Sequence, residues 1–540
     1  MGDGAPAAPA LSIDRARLAG RLSRMGSGRS RAQAAPALAL AVGLTLVAAA
    51  GAGAAHASPD LSLDDPAYLD LARARAAGAL PPYLGGVRPL TEARIAALRL
   101  AAGLPPDPRL VSAGLRGFWL APVSRLRVRG LLVRDHLRPY STEVHPRDLA
   151  GGVSISCEHQ EGRTCGAGAG LESELDSAAG HGAWLAAATR VRVLAGTSQY
   201  DADAAIDRAY ASAELGPLTV LVGRDALVIG PSPRTHAAWG DHIAPLDQVR
   251  ASTAPIDLIG PRGSTLRGSA LFFLGRLRDP QTFHGALVDG TRVQADLWDT
   301  VELGLTHLIV MGGDGAPDFS LADYVFEHVR HKAGEPFSLG FASNRLAADA
   351  AVTVPSAAGL RVSYQVATED LRDQFGSMLR HDADHVLSVE VDRVGPRAGL
   401  LVELTRTGVR SHEHQLFTTG TTSLGRIAGA PLGPSSTAAF VGARVDLDGA
   451  RLWPWLELAD QSSDLYAFGT GPIVRTKDLP DERRARGGLR AAVDLAPDLR
   501  VELSGLAERV TTADFIPGHT RWNAAAEVAA TWTPLWRVAR

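Results

Sequence analysis

The stretch Gly216–His242, GPLTVLVGRDALVIGPSPRTHAAWGDH, decides the fold. Its first part, Leu218–Val222, has the apolar and β-branched composition of a strand. The charged pair formed by Arg224 and Asp225 interrupts this strand, which resumes at Val228. In a soluble sheet such a pair marks a solvent face, whereas in a membrane barrel it fits a polar lumen with apolar neighbours facing lipid. The rest of the chain has to show which solvent surrounds this strand.

The overall composition excludes two classes of protein. The 540 residues carry a formal net charge of −3, so the chain has no basic field of the kind that binds nucleic acid. Hydrophobic residues make up 46% of the chain, and many of them are alanine. This composition does not support a multi-helix membrane protein, but it suits strands of alternating polarity, whose hydrophobic signal is weak in each segment.

The N-terminus predicts a secretory signal peptide over residues 1–57. Several arginines between residues 15 and 31 precede an apolar run from Ala34 to Ala55, and the small-residue pattern Ala55-His56-Ala57 follows it. A single membrane anchor is the alternative, because the run approaches the length needed to span a bilayer. Met25 would give the signal a more ordinary start.

The chain has two cysteines, Cys157 and Cys165, and both follow the signal. In an oxidising compartment they predict a disulfide that closes a short loop and stabilises it by roughly 2–3 kcal/mol. The alternative is a metal pair together with His159, but two thiols and one imidazole leave a structural zinc site incomplete. We expect no metal.

Residues 58–114 predict a small helical unit. Asp65-Pro66 opens a first helix that continues to Gly78, with proline at a first-turn position. Thr91 caps a second helix that Gly103 ends. A unit of this size cannot bury a core of its own, so we expect it to pack on something larger.

From residue 115 to the end, short apolar runs replace the helical pattern. Some neighbouring runs are split by short turns such as Asp448-Gly449, and others by long polar segments such as Pro231–Gly268. This alternation predicts an all-β fold, a large antiparallel up-and-down transmembrane β-barrel over residues 115–540 with long extracellular loops. Tryptophans near predicted strand ends are assigned to the interfacial girdles: Trp184, Trp298, Trp453, Trp455, Trp532 and Trp536.

A secreted soluble β-sandwich or propeller is the alternative fold. Aromatic residues are only 6% of the chain, which is few for two girdles, and the chain ends in LWRVAR rather than on an aromatic residue.

No motif predicts an enzyme or a cofactor. HLIVMGGDGAP, residues 307–317, resembles a phosphate-binding turn of some kinases, but we interpret it as a glycine-rich loop because no helix start follows it. The chain has no G-x-S-x-G turn. Its many carboxylates show no spacing that selects the facing pair required for glycoside hydrolysis.

Several stretches resemble, in order and spacing, the Wzi family of outer-membrane capsule assembly proteins. They are GPLTVLVGRDALVIGPSP (216–233), HGALVDGTRVQADLWDTVELGLTHLIVMGGDG (284–315), SNRLAADAAVTVP (343–355) and HEHQLFTTGTTSLGRIAGAPLGPSS (412–436). The resemblance covers about residues 60–540. It implies a barrel of about eighteen strands in the cell outer membrane, a small periplasmic helical unit against one end, and a lectin-like role.

The resemblance and the loop positions suggest residues that contact glycan or form a lumen network. The candidates are Arg224, Asp225, Trp239, Tyr324, Glu369, Asp370, Phe375, His412, His414 and Tyr466. For the charged members Arg224, Asp225, Glu369 and Asp370, the alternative role is to brace the barrel wall through salt bridges.

We therefore expect a non-enzymatic outer-membrane barrel that binds or retains exported capsular polysaccharide or exopolysaccharide. Further expected partners are outer-membrane lipid and the polysaccharide export machinery. The alternative is a porin that passes the polymer outward from a periplasmic export partner. A continuous polar lumen would favour export, and segments that plug the lumen would favour attachment. A glycan-degrading enzyme is a third hypothesis, which would require two facing carboxylates in an open groove.

Overall fold

The computed structural model describes residues 57–80, 85–110, 117–134, 167–182, 184–197, 203–259, 266–321, 323–324, 341–369, 375–409, 411–412, 416–462, 465–467, 474–476, 479–536 and 538–539. This part of the chain forms a closed antiparallel barrel of eighteen long strands, which confirms the predicted fold class. Strands that follow one another in the chain are neighbours in the barrel. The last long strand pairs with the first, from Leu126 opposite Trp532 to Val133 opposite Ala525, and this pairing closes the barrel.

The long strands are numbered here in chain order. They are β1 Phe118–Val133, β2 Gly168–His181, β3 Leu185–Gly196, β4 Asp203–Leu215, β5 Leu218–Asp225, β6 Leu246–Thr253, β7 Leu266–Arg276, β8 Leu287–Leu297, β9 Val301–Met311, β10 Ala342–Val354, β11 Leu360–Glu369, β12 Asp384–Gly395, β13 Ala398–Arg406, β14 Ser436–Leu447, β15 Ala450–Gln461, β16 Glu482–Ala496, β17 Leu499–Thr511 and β18 Thr520–Trp532.

Short elements complete the described fold. The short strands are Val87–Arg88, Val228–Ile229, Ile256–Ile259, Thr422–Ser423, Arg426–Ile427, Leu465–Ala467, Val474–Thr476 and Val538–Ala539. The helices are α1 Ala67–Ala76, α2 Glu92–Ala101, α3 Phe375–His381 and the 3-10 helix Ala513–Phe515. α2 begins where the sequence predicts, because the Thr91 hydroxyl accepts a hydrogen bond from the Arg94 N–H at 3.2 Å.

The two faces of each strand meet different environments, as β13 illustrates. Leu400 and Leu404 are 37% and 50% exposed on the outer face, whereas Glu403 is 1% exposed on the inner face. Successive residues of a strand point to opposite sides, so this alternation places apolar groups outside and charges inside. The pattern is that of a lipid-facing barrel and the reverse of a soluble one, so the soluble alternative is wrong.

The connections differ between the two ends of the barrel. At one end the strands are joined by short turns, such as residues 216–217, 448–449 and 497–498. At the other end long connections predominate, such as residues 226–245 and 407–435. In outer-membrane barrels the short turns face the periplasm and the long connections face outward, so we call these ends periplasmic and extracellular.

Part of the predicted aromatic girdle lies where the sequence places it. Trp184, Trp298 and Trp536 are 51%, 69% and 48% exposed near the periplasmic end. There too the Trp532 indole N–H donates to the Asp498 carboxylate at 2.9 Å. Amphipathic indole rings at this level match the membrane–water interface.

The girdle assignment of Trp453 and Trp455 is wrong. Both lie on the face of β15 that also carries Glu457, which is fully buried inside the barrel. Leu456 and Leu458, at the intervening positions, are 49% and 54% exposed on the outside. Because side chains alternate along a strand, both indole rings point into the lumen.

The small helical unit rests on the barrel, but the prediction that it cannot bury a core of its own is wrong. Its own core is a small cluster that includes Leu71 from α1 and Ile95 from α2. The unit rests on the barrel, where Arg75 of α1 lies 3.5 Å from the Glu302 carboxylate of β9. No helix in the described ranges is long and apolar enough to cross a membrane.

Placing a charge on the outer face tests the membrane orientation. Ala526 points outward at the midpoint of β18, so Ala526→Arg should lower the free energy of unfolding by about 2–4 kcal/mol. Thr520→Arg is the matched control at the end of the same strand, where the loss should be about 0–1 kcal/mol. Urea unfolding in lipid vesicles, followed by tryptophan fluorescence, measures both. Equal losses would contradict the orientation.

Candidate functional site

Within the described residues, three segments enter the barrel lumen. The first inserted segment, residues 226–245, turns inward between β5 and β6. The second inserted segment lies between β13 and β14, and its described residues, 407–409, 411–412 and 416–435, turn inward. The N-terminal segment, residues 57–110, contains α1 and α2 and enters from the periplasmic end. The candidate site is built from these segments and the inner wall.

The first inserted segment is held by apolar packing against the inner wall. Trp239 is 1% exposed and meets Phe273 of β7 edge to face, with ring centroids 5.6 Å apart. Phe273 itself lies flat over Gly290 of β8, where a side chain would collide with its ring. The resulting cluster also contains Leu227, Ile243, Val288, Val310 and Val386. Burial of these apolar side chains anchors the segment to the inner wall.

One arginine of the inner wall ties both inserted segments to the barrel. Arg345 of β10 is 1% exposed and forms ion pairs with Glu369 of β11 and Asp384 of β12. Its guanidinium also donates to the Ala237 carbonyl of the first inserted segment at 2.7 Å. Burying a charge is costly unless it is paired and hydrogen-bonded, and the two ion pairs and the carbonyl contact offset the cost of burying this guanidinium.

The same two carboxylates hold the second inserted segment. Asp384 accepts hydrogen bonds from the Gly408 N–H at 2.8 Å and from the Ser411 hydroxyl at 2.7 Å. Glu369 accepts one from the His412 N–H at 3.0 Å. The two inserted segments also meet directly, because the Gly240 N–H donates to the Ala428 carbonyl at 2.6 Å.

The N-terminal segment is held by a second group of charges. Asp64 accepts hydrogen bonds from Arg125 and Arg127 of β1, both at 2.7 Å. Asp60 forms an ion pair with Arg250 of β6, and burial raises the pKa of the Asp60 carboxyl to about 7 against the opposing effect of that arginine.

The N-terminal and first inserted segments join inside the lumen. Val87–Arg88 pairs with Val228–Ile229 as a two-stranded ribbon. The described segments therefore form a continuous connection from the periplasmic end to the extracellular end.

The inner wall beyond this connection carries an aromatic surface, which we call the aromatic wall: Phe440 of β14 with Trp453 and Trp455 of β15. The Phe440 and Trp455 rings are 6.1 Å apart and 24° from parallel. All three side chains are partly exposed. Arg490 of β16 lies over the Trp453 ring at 5.4 Å, and its side chain is 43% exposed.

Arg234 connects the first inserted segment to the aromatic wall. Its guanidinium lies 4.3 Å from the centre of the Phe440 ring. It also forms ion pairs with Glu403 and Glu457, and Glu457 is paired in turn with Arg486. Cation–π contact and ion pairing fix the arginine in place, so it orients the inserted segment against this wall.

The structure separates the residues predicted for the site. Asp225 and Glu369 lie in the inner-wall ion pairs, with Asp225 joined to Arg208 at 2.6 Å. Arg224 points outward and is paired with Asp247 at 2.8 Å, so it takes no part in the lumen network. Adjacent residues of a strand face opposite sides, and for that reason the Arg224-Asp225 pair could not enter the lumen together.

Other predicted residues lie in buried or peripheral positions. Trp239 belongs to the core of the first inserted segment. Tyr324 is 7% exposed, and its hydroxyl donates to the Asp289 carboxylate of β8; burial and this carboxylate raise its pKa. Phe375 opens α3, and Tyr466 lies in the short strand Leu465–Ala467. Asp370, His414, Cys157 and Cys165 lie outside the described residues, as does the predicted signal peptide up to residue 56.

His412 is fully enclosed between the two inserted segments. It is 1% exposed and has a positive φ of 62°. Burial and the neighbouring Arg345 hold the pKa of the His412 imidazole well below its usual range. The neutral ring therefore packs between the two inserted segments.

The aromatic wall is the part of the site that sequence analysis missed. The sequence signal for it is the run LWPWLEL at residues 452–458. In this run both tryptophans lie on the same strand face as Glu457, and the three leucines lie on the opposite face. Within the described residues, no group of three or more His, Cys, Asp or Glu side chains is placed to hold a metal ion.

Arg345→Met should release both inserted segments. It leaves the buried Glu369 and Asp384 carboxylates without their cation, which should lower the free energy of unfolding by about 3–5 kcal/mol. The control is Arg224→Met on the outer surface, where the loss should be about 0–1 kcal/mol. Urea unfolding measures both variants, and limited proteolysis should cut residues 226–245 and 407–435 faster in Arg345→Met alone. Equal losses in the two variants would contradict the role of Arg345.

Acid should destabilise the lumen through His412. In the unfolded chain the His412 imidazole binds a proton below about pH 6.5, whereas in the folded protein it stays neutral. The free energy of unfolding is therefore highest above that pH and falls as the pH decreases, by at most about 1.4 kcal/mol per pH unit. His412→Asn removes this dependence, and asparagine tolerates the positive φ. Urea unfolding between about pH 7.5 and about pH 5 should show a smaller loss in the variant. Identical losses in both proteins would contradict the buried neutral state.

Comparison with solved structures shows the same barrel architecture. The chain is similar to Wzi of Escherichia coli, an outer-membrane protein involved in group 1 capsule assembly and a carbohydrate-binding β-barrel. The TM-score is 0.60 and the sequence identity is 14%, and the match covers 86% of this chain and 98% of that one. OccAB4 of Acinetobacter baumannii is also similar, with a TM-score of 0.45 and 7% identity over 78% of this chain and 98% of that one. OprD of Pseudomonas aeruginosa is similar with a TM-score of 0.42 and 8% identity over 78% of this chain and 95% of that one.

No curated protein matches the sequence. The family model of the capsule assembly protein Wzi, in contrast, matches residues 147–525, which is more than half of the chain. The match includes β2 to β17 and both inserted segments. The chain therefore belongs to the Wzi family of capsule assembly proteins.

Proposed function

We propose that the protein is an outer-membrane barrel that binds or retains exported polysaccharide at the cell surface during capsule or exopolysaccharide assembly. Family membership supports a role in capsule assembly. The similar barrel of Escherichia coli is a carbohydrate-binding protein of the outer membrane, which is consistent with this role. The apolar outer face of the strands supports the location in a membrane.

The aromatic wall is the observation that carries the proposal. Phe440, Trp453 and Trp455 present partly exposed rings inside the lumen. Sugar rings have apolar faces that pack on aromatic rings, and their hydroxyl groups hydrogen-bond to planar donors. Arg490, which is 43% exposed beside Trp453, supplies such donors. The wall therefore offers both contacts that a polysaccharide needs.

The inserted segments favour attachment over export. An export porin requires a lumen wide enough for a polymer along its whole length. Here residues 226–245 and 407–435 are joined to the wall through the buried Arg345 and to each other. Segments held by a buried apolar core and buried ion pairs do not move aside at low energetic cost. The export porin is the alternative, which would require a passage beside the aromatic wall.

The domain organisation follows from this role. We assign residues 1–57 to a signal peptide, residues 58–114 to the periplasmic side and residues 115–540 to the barrel. The contact of Arg75 with Glu302 at the periplasmic end supports the second assignment. A helical unit at that end would face the export machinery, and the outer wall would contact outer-membrane lipid.

The carboxylates favour a structural role over catalysis. Glu369, Asp384, Glu403 and Glu457 are each paired with an arginine. Hydrolysis of a glycosidic bond requires one carboxyl group that keeps its proton near neutral pH, and an adjacent arginine opposes this. We therefore assign no catalytic activity to these residues.

Substitution of the aromatic wall tests the proposal. Trp453→Ala together with Trp455→Ala should weaken binding of the organism's own capsular or exopolysaccharide by roughly tenfold or more, because aromatic anchors dominate such contacts. Leu456→Ala on the outer face of the same strand is the matched control and should bind normally. A pull-down of the purified full-length protein with that polysaccharide measures all three proteins. Unchanged binding in the double variant would reject the aromatic wall as the site.

Conductance in a planar bilayer separates attachment from export. Closed insertion, combined with polymer binding in the pull-down, is the expected result. Stable open channels that the polymer blocks would instead establish the porin. Arg345→Met is informative here, because release of the inserted segments should open a channel that the wild-type protein lacks.

A further inference from the structure

A groove on the outer surface of the barrel lies apart from the lumen. It encloses about 760 Å³ and runs across β12 to β17 near their extracellular ends. Its volume is in the range of small-molecule sites. None of the lumen contacts described above involves its outward-facing side chains, so the groove has to be explained separately.

The floor of the groove is apolar and follows the register of the strands. One row of residues crosses four neighbouring strands in register: Leu404 of β13, Ala439 of β14, Leu458 of β15 and Ala485 of β16. Leu404 and Leu458 are 50% and 54% exposed and form ridges, while the two alanines leave the space between them. This row faces the hydrocarbon region of the membrane, so an acyl chain can lie in it.

The rim of the groove, one outward-facing row nearer the extracellular end, is polar. Arg406 of β13, Thr437, Asp460 and Arg483 of β16 occupy it in register. Neighbouring strands are about 4.8 Å apart, so the two arginines are separated by roughly 15 Å. A headgroup held between them would lie directly above the apolar floor.

The charges of the rim are predominantly positive. Arg406 donates to the Arg380 carbonyl, which neutralises no charge, and Arg483 is 74% exposed beside Asp460 at 3.1 Å. Arg509 of β17 borders the floor and lies 5.6 Å over the Trp522 ring. The rim and the adjacent floor row therefore carry three guanidinium groups, those of Arg406, Arg483 and Arg509, against the single carboxylate of Asp460.

We propose that this groove binds a phosphate-bearing lipid of the outer leaflet. The acyl chains lie along Leu404 and Leu458, and the phosphate lies at the rim, where Arg406, Arg483 and Arg509 supply the positive charge. Guanidinium groups bind phosphate through paired N–H donors, and Trp522, which is 55% exposed, belongs at the membrane interface where such headgroups lie. The assignment is independent of polysaccharide binding, because it uses only the outer wall.

The experiment compares two lipids that differ only in phosphate. Full-length protein in detergent is incubated with phosphatidic acid and, separately, with the diacylglycerol of identical acyl chains, and native mass spectrometry counts the bound molecules. The wild-type protein should prefer phosphatidic acid by roughly tenfold or more. The combined variant Arg406→Gln, Arg483→Gln and Arg509→Gln should lose this preference.

Arg224→Gln is the matched control, because Arg224 is also an outward-facing arginine near the extracellular end, on β5 across the barrel from the groove. It should retain the preference. Should the combined variant fail to fold, as judged by its electrophoretic mobility with and without heating, the three single variants are measured instead, and each should weaken the preference.

Three outcomes would overturn the proposal. Equal retention of the two lipids would remove the role of phosphate. Displacement of phosphatidic acid by inorganic phosphate alone would show an anion site without a lipid site. A protein dimer that the combined variant abolishes, with no bound lipid, would identify the groove as an interface between two copies of the chain.

Discussion

The lumen depends on one buried cation, the guanidinium of Arg345. It lies between Glu369 and Asp384, and it also donates to the backbone of the first inserted segment. The two carboxylates also accept hydrogen bonds from the second inserted segment. A charge in this position is stable only when every partner is present, because an unpaired buried ion costs several kcal/mol. Wall and inserted segments are therefore ordered together.

The same constraint divides the inner wall into two regions. The inserted segments and the N-terminal segment cover much of the wall from β1 to β13 and bury charges of these strands. Along β14 to β16 the wall presents Phe440, Trp453 and Trp455 with partial exposure. Arg234 lies at the boundary and contacts both regions. The covered side of the lumen therefore faces a partly exposed aromatic surface on the other side.

The outer wall is apolar where the inner wall is charged. Its side chains meet hydrocarbon along most of each strand, so apolar residues such as Leu404 are exposed there without penalty. Charged residues appear on this face mainly toward the strand ends, where water and lipid headgroups begin. Arg224 with Asp247 on one side of the barrel, and Arg406 with Arg483 on the other, mark this level.

Much of the architecture could be predicted from local patterns. The alternation of polarity within runs such as Leu499–Ser504 predicts strands, and the alternation of short and long connections predicts their up-and-down order. The caps of α1 and α2 are equally local, because Pro66 and Thr91 act within one helical turn. Each of these signals lies within a few residues of the element that it specifies.

The site could not be predicted in the same way. From the sequence alone we interpret Arg224 and Asp225 as one charged pair, but neighbouring residues in a strand face opposite sides of the sheet. Trp453 and Trp455 could be placed inside only because they alternate in step with Glu457, whose side chain is buried in the lumen. By itself, the sequence determined a membrane barrel with a helical unit, because polarity patterns report the solvent on each face. Only the tertiary structure decided which segments fill the lumen and which wall stays open, because ion pairs such as Arg345 with Asp384 join residues far apart in the chain and leave no local pattern.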